Sequence, residues 1–229
     1  MDLLKNALQE YGLYFEELQV KKTFHYLKEL LKAPCNLTAL RKLDSAVHKN
    51  VAEILIPLKN ENLNGSLLDV GSGNGVPGLI LAIFFPKLKV TLLDSREKSV
   101  RFLEHVVREL NLGNVTVVKE RAESFSREHR EEYDYVTARA VARLNILVEI
   151  CAPALKVGGG MLFYKGPSFE EELKEAGKAL SELKVELEKV RKYTLKTGER
   201  RCLLVLKKMD RSPEKYPRRV GIPFKRPLL

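Results

Sequence analysis

The sequence predicts an α/β protein: a mostly parallel sheet of seven strands that ends in an antiparallel hairpin and is preceded by a helical extension. Three observations carry this expectation. From Leu67 onward, short apolar runs alternate with stretches of helical periodicity, which is the rhythm of a parallel sheet. Toward the C-terminus, two strand-like runs flank the turn-rich Lys196-Thr197-Gly198-Glu199-Arg200, the signature of a hairpin. Before about residue 60, apolar residues recur at helical spacing instead.

In chain order, Leu3, Leu4, Ala7, Leu8 and Tyr11 predict a first helix, and Phe24, Leu27, Leu30 and Leu31 a second. Val47, Val51, Ile54 and Leu55 predict a third, with Pro34 and Pro57 breaking the pattern. Residues 1–60 thus read as a helical cap on a core over 61–208. The core should place strands near 66–70, 89–94, 114–118, 133–137 and 159–165, with helices near 77–85, 96–111 and 144–155 between them. A charged helix over 168–184, with Leu173, Ala176, Leu180 and Leu183 as its apolar stripe, leads into hairpin strands near 186–195 and 201–207. Residues 209–229 form a basic tail.

A chain of 229 residues with 45% hydrophobic content holds one large core plus an extension. Met1-Asp2-Leu3-Leu4-Lys5-Asn6 lacks the layout of a signal peptide, and no stretch approaches the roughly 20 apolar residues that span a bilayer. A cytoplasmic protein without a membrane partner is expected. Cys35, Cys151 and Cys202 are odd in number, far apart and without a C-x-x-C pair, so they read as reduced, buried thiols. His25, His48, His105 and His129 show no metal-ligand spacing, and no metal is expected.

The formal charge of +10 points to a polyanionic partner. It concentrates in the tail, where Lys207, Lys208, Arg211, Lys215, Arg218, Arg219, Lys225 and Arg226 face only Asp210 and Glu214. Tyr216, Pro217, Pro223, Phe224 and Pro227 are interleaved with these charges, as in an ordered, extended segment that lays cations along RNA phosphates. A merely solvated tail is the other reading.

The most specific segment runs Leu67-Leu68-Asp69-Val70-Gly71-Ser72-Gly73-Asn74-Gly75-Val76-Pro77-Gly78, with Leu92-Leu93-Asp94 after it. Its glycines permit a sharp turn and leave main-chain N–H groups open to a ligand. Asp94 follows at roughly the 20-residue spacing at which a second strand delivers a carboxylate to a ribose diol. Gly73 to Gly78 also satisfies the G-x-G-x-x-G pattern of dinucleotide folds, so an NAD-dependent oxidoreductase stays open. Asp69 favours another cofactor, because a carboxylate beside a diphosphate is electrostatically poor. S-adenosylmethionine carries an ammonium and a sulfonium and no phosphate, and D-x-G-x-G-x-G resembles motif I of the Rossmann-like class I methyltransferases. Ligands of such sheets bind beyond the carboxyl ends of the strands. Asp69 and Gly71, Asp94 and Ser95, Arg121-Ala122-Glu123, and Arg139 should therefore share one rim, with Ala122 and Glu123 toward an adenine. Glu123 could equally complement a helix dipole.

The acceptor is read partly from what the chain does not carry. After the fourth strand stands Tyr135-Val136-Thr137-Ala138-Arg139-Ala140, not the N-P-P-Y-like tetrapeptide of enzymes that methylate exocyclic amines. Carbon-5 methylation needs a cysteine nucleophile, yet Cys151 and Cys202 fall inside core elements and Cys35 outside the core. Guanine N7 needs no base, since it offers a lone pair and no proton.

Asn36-Leu37-Thr38 with Arg41, His48, the glycine loop, Leu93-Asp94-Ser95, Arg139-Ala140, Lys165-Gly166, Tyr216-Pro217-Arg218-Arg219 and Gly221-Ile222-Pro223 together resemble the bacterial glucose-inhibited division protein B family, across nearly the whole chain. The resemblance implies methylation of 16S ribosomal RNA to 7-methylguanosine on the small subunit, by a monomer. It implies that Asp69, Gly71, Gly73, Gly75, Val76, Asp94, Ala122, Glu123 and Arg139 form the S-adenosylmethionine site, and that Arg41, Lys165, Arg218 and Arg219 meet RNA. Arg139 would position the methionine carboxylate or a substrate phosphate; an ion pair bracing the strand-four loop is the alternative. One departure is that His48 is followed by Lys49-Asn50-Val51-Ala52-Glu53 rather than the family's short acidic element. A non-catalytic RNA-binding or ribosome-assembly factor is the remaining competitor.

Overall fold

The computed structural model describes residues 1–33, 37–38 and 40–229; Pro34, Cys35 and Asn36, singled out above, lie outside them. Seven strands, β1 (Gly65–Val70), β2 (Leu88–Asp94), β3 (Val115–Lys119), β4 (Tyr133–Arg139), β5 (Leu155–Lys165), β6 (Val185–Thr194) and β7 (Arg200–Lys208), form one sheet in the order β3-β2-β1-β4-β5-β7-β6. The first five are mutually parallel where they pair, and β7 runs antiparallel between β5 and β6. The order reverses between β1 and β4. That switch point opens a crevice at the carboxyl ends of the strands.

Neighbouring residues on a strand point to opposite faces, and this splits the core into two apolar layers. Leu67, Leu92, Leu162, Tyr164, Leu203 and Val205 face one side. There they pack with α5 (Gly78–Phe84), α6 (Glu97–Glu109) and the N-terminal helices α1 (Asp2–Glu10) and α2 (Glu17–Lys32). Leu68, Leu93, Phe163 and Leu204 face the other, against α7 (Ala122–Glu128), α8 (Leu144–Cys151), α9 (Phe169–Glu175) and α10 (Gly177–Leu183). Tyr216 and Leu228 of the tail complete this second layer.

The third N-terminal helical stretch is a composite of α3 (Leu43–Ala46), a π-helical run Val47–Ala52, α4 (Glu53–Leu55) and a 3-10 turn Ile56–Leu58. Polar bonds bind this cap to the sheet. The Tyr26 hydroxyl donates to Asn74 O in the glycine loop (3.0 Å), that of Tyr164 on β5 to Ile54 O (3.0 Å), and Arg191 Nη1 on β6 to Pro57 O (2.6 Å).

Further elements differ from the sequence expectation. The helix expected over 144–155 ends at Cys151, and β5 opens at Leu155, before the expected 159. The helix expected over 168–184 is divided at Ala176, whose ψ of −2° ends α9, and the break keeps Phe169, Ala176, Ala179 and Leu183 in the buried layer. The short α7 shows little periodicity, because its seven residues span only two turns. The tail is not extended throughout: Gly221, at φ +81°, turns it into α11 (Ile222–Lys225) with Pro223 in its first turn. Among the described residues no helix is long and apolar enough to cross a membrane.

Candidate active site

The loop after β1 is laid across β2 by its own backbone. The N–H groups of Gly71 and Ser72 both donate to Leu93 O (2.8 and 3.0 Å). Gly73 N–H donates to Asp94 Oδ2 (2.8 Å), and Arg96 N–H to Asp94 Oδ1 (2.8 Å). These bonds fix the Asp94 carboxylate at the end of β2; Arg96 Nε and Nη2 also donate to Oδ1 and Oδ2 (3.3 and 3.4 Å), and a hydroxyl donor reaches the carboxylate by displacing this exposed guanidinium. Gly71 sits at φ +69°, and a Cβ there would lie 2.7 Å from Val141 Cγ2, so no larger residue fits without displacement.

Asp69 and the end of the loop have a different role. Gly78 N–H donates to Asp69 Oδ2 (3.0 Å), tying β1 to the start of α5. The other oxygen, Oδ1, is buried with no hydrogen-bond partner among the described residues. Burial dominates, and it pushes the Asp69 carboxyl up to about 7 despite the Gly78 bond. Gly75 and Val76 pack inward: a Cβ on Gly75 would lie 2.3 Å from Leu79 Cδ1, and Val76 belongs to the first apolar layer.

A folded-state value raised above the unfolded one, near 3.9, favours the protonated folded protein, so this carboxyl makes stability fall as pH rises from about 4 to 7. Asp69→Asn removes that dependence. Without ligand, the variant should therefore gain on the unaltered protein between pH 5 and pH 8 by an amount on the order of a few kcal/mol. Thermal unfolding of both at the two pH values checks this, and parallel pH dependences would contradict it.

Two cavities open at the carboxyl ends of the strands. The first, about 280 Å³, is lined by Gly71, Asp94, Ser95, Ala122, Glu123, Val141, Ile150 and Phe224 among others. The second, about 530 Å³, is lined by Thr38, Lys49, Asn50, Glu53, Asn74, Arg139, Tyr164, Lys165 and Arg201 among others. Ala140 belongs to both walls and is held at φ +57°, a conformation that L-residues rarely adopt.

The sequence candidates thus fall into four groups. Gly71, Asp94, Ala122 and Glu123 surround the first cavity, while Arg139 and Lys165 are in the wall of the second. Asp69, Gly73, Gly75 and Val76 build the loop without lining either cavity. Arg41, Arg218 and Arg219 line neither.

Arg139 reaches into the cap. Its Nη1 donates to Lys49 O (2.6 Å) and its Nη2 to Asn50 Oδ1 (3.0 Å), with Glu53 Oε2 at 4.0 Å. Burial raises the Glu53 carboxyl, and Arg139 and then Arg201 oppose that rise. Lys165 Nζ donates to Glu172 Oε2 (2.7 Å) and Ala142 O (3.0 Å). Glu123 Oε1 accepts the Gly221 N–H of the tail (2.9 Å). Arg218 clasps Glu149, whereas Arg41 and Arg219 are exposed. His48 pairs its Nδ1 with the Tyr11 hydroxyl (3.0 Å) on the cap.

The first cavity suits an adenosyl group. Asp94 can accept from a ribose diol that displaces the exposed Arg96 side chain, and Gly71 leaves room where a Cβ would intrude. Cys151 and Cys202 are buried, and burial pushes the Cys202 thiol up to about 11 and that of Cys151 higher still, so neither is poised as a nucleophile. Among the described residues no cluster of three metal-type ligands occurs. Sequence reasoning did not find Val141, Ile150 or Phe224, since apolar residues of a loop, a helix and a tail carry no local mark of a shared cavity.

A sequence profile of the GidB family, described as rRNA small subunit methyltransferase G, matches residues 19–203. The ribosomal RNA small subunit methyltransferase G of Thermotoga neapolitana is 82% identical over 229 residues, covering 100% of both chains. The protein of the same name from Pseudothermotoga lettingae is 45% identical over 228 residues, again covering 100% of both. Among solved structures, P. horikoshii TYW2 in complex with MeSAdo is alike in fold, with a TM-score of 0.55 and 18% sequence identity over 69% of this chain and 62% of that one.

Proposed function

The chain belongs to the GidB family, rRNA small subunit methyltransferase G, and from that premise we propose that its first cavity binds S-adenosylmethionine and its second admits a guanine of small-subunit 16S ribosomal RNA for methylation at N7. When bound, S-adenosylmethionine supplies a methyl group made electrophilic by its sulfonium. The observation that carries the reading is the pair of cavities that share Ala140 in their walls, at the switch point of a class I methyltransferase sheet.

The chain's own residues would then divide the work. Asp94 receives the ribose hydroxyls, Gly71 allows close approach of the backbone, and Ala122 and Glu123 bound the adenine end. In the wall of the second cavity Arg139, Lys165, Lys49 and Arg201 carry cations, held by Glu53, Glu172 and Glu199, that nucleotide phosphates would have to share with those acids. No residue has to remove a proton, because guanine N7 has none. Catalysis is therefore positioning, together with tolerance of a cationic product. An A-form duplex buries N7 in a deep, narrow groove, so the target guanine must be unstacked or presented by the subunit. The reading implies a monomer acting on small subunits in the cytoplasm, with residues 1–60 as cap, 61–208 as catalytic core and 209–229 as tail.

Arg139 tests this reading. Arg139→Ala should lower methyl incorporation into small subunits at least tenfold while the far-ultraviolet circular dichroism stays native. Unchanged incorporation would remove Arg139 from the site.

A further inference from the structure

We propose that Phe224, in the C-terminal tail, is the apolar wall for the adenine of the cofactor, so that the tail completes the cofactor site. The inference rests on the first cavity being that site. Phe224 lines this cavity yet remains 42% exposed, a large apolar side chain with one face left open. It lies outside residues 19–203, the extent of the family match, and far along the chain from every other wall residue.

The tail is held too firmly for this placement to be incidental. Three residues before Phe224, Gly221 N–H donates to Glu123 Oε1 (2.9 Å), which sets the tail against the β3 end of the cavity. Upstream, Arg130 donates to Tyr216 O (2.7 Å) and Ser212 O (2.6 Å), Arg127 to Pro217 O, and Arg218 grips Glu149 on α8. The β3 end is where Ala122 and Glu123 bound the adenine. Val70, Leu93, Ala122, Val141 and Ile150 line the same cavity, and an aromatic ring in an apolar wall suits a flat heterocycle.

The test is calorimetric titration of the full chain with S-adenosylhomocysteine and with 5′-methylthioadenosine, which keeps the adenosine and lacks the amino acid. Phe224→Ala should weaken both ligands by the same factor, about tenfold, and Phe224→Leu should restore part of the loss. Affinities within twofold of the unaltered protein in Phe224→Ala would overturn the inference, as would a loss confined to S-adenosylhomocysteine. If neither ligand bound the unaltered protein, the cofactor reading itself would fall and this inference with it.

Discussion

Arg218→Ala is expected to lower the unfolding free energy by about 3–5 kcal/mol, the cost of leaving a buried charge without its partner. Glu149 is 0% exposed, and its oxygens accept from Arg218 Nε (2.8 Å), Nη2 (2.6 Å) and backbone N–H (3.0 Å). Alanine keeps only the backbone donor. The fork of two N–H groups is specific to guanidinium, so Arg218→Lys should recover little. Replacing both partners, as in Arg218→Met with Glu149→Leu, removes the charge as well as its partner and should cost far less than Arg218→Ala alone. Urea unfolding of the three variants checks this; a loss under 1 kcal/mol for Arg218→Ala would mean that the Arg218–Glu149 pair does not hold the tail in place.

Gly71→Asp should weaken S-adenosylhomocysteine by at least a hundredfold, with a much smaller effect on folding. Aspartate tolerates the left-handed conformation that Gly71 adopts at φ +69°, so the backbone cost is about 1 kcal/mol. The ligand effect is larger on two counts. A Cβ there stands 2.7 Å from Val141 Cγ2, and the new carboxylate would enter the cavity beside Asp94. Titration calorimetry reads the affinity and thermal unfolding reads the fold. Retained affinity would place the cofactor somewhere other than the crevice beside β1.

The sheet was legible because its signals are local: apolar runs, glycine turns and a hairpin with Gly198 at its tip. The rim was legible for a related reason, since a parallel sheet delivers strand ends to one side whatever the strands contain. Asp94 and Ala122 could thus be placed together before any contact was known. Cations were harder to read. Arg218 looks like an RNA contact in a run of basic residues, yet its partner is a glutamate on α8, 69 residues earlier. Arg139 is similar, in that its partners Lys49 and Asn50 belong to the cap, and the alternative reading of it as a brace was available only as a type of contact, without a named partner. The glycine loop looked uniform in sequence, but its members separate in the structure. Gly71 meets the cavity, whereas Gly75 makes room for Leu79. Such divisions of labour depend on what packs behind each residue, and that is set by the whole chain.

The most direct test of the account is incubation of the protein with labelled S-adenosylmethionine and small ribosomal subunits that lack the modification, followed by nucleoside mass spectrometry of the RNA. The account predicts 7-methylguanosine, absent when Gly71→Asp replaces the unaltered protein. Tight cofactor binding with no methylated RNA, or with the label on a nucleoside other than guanosine, would contradict it.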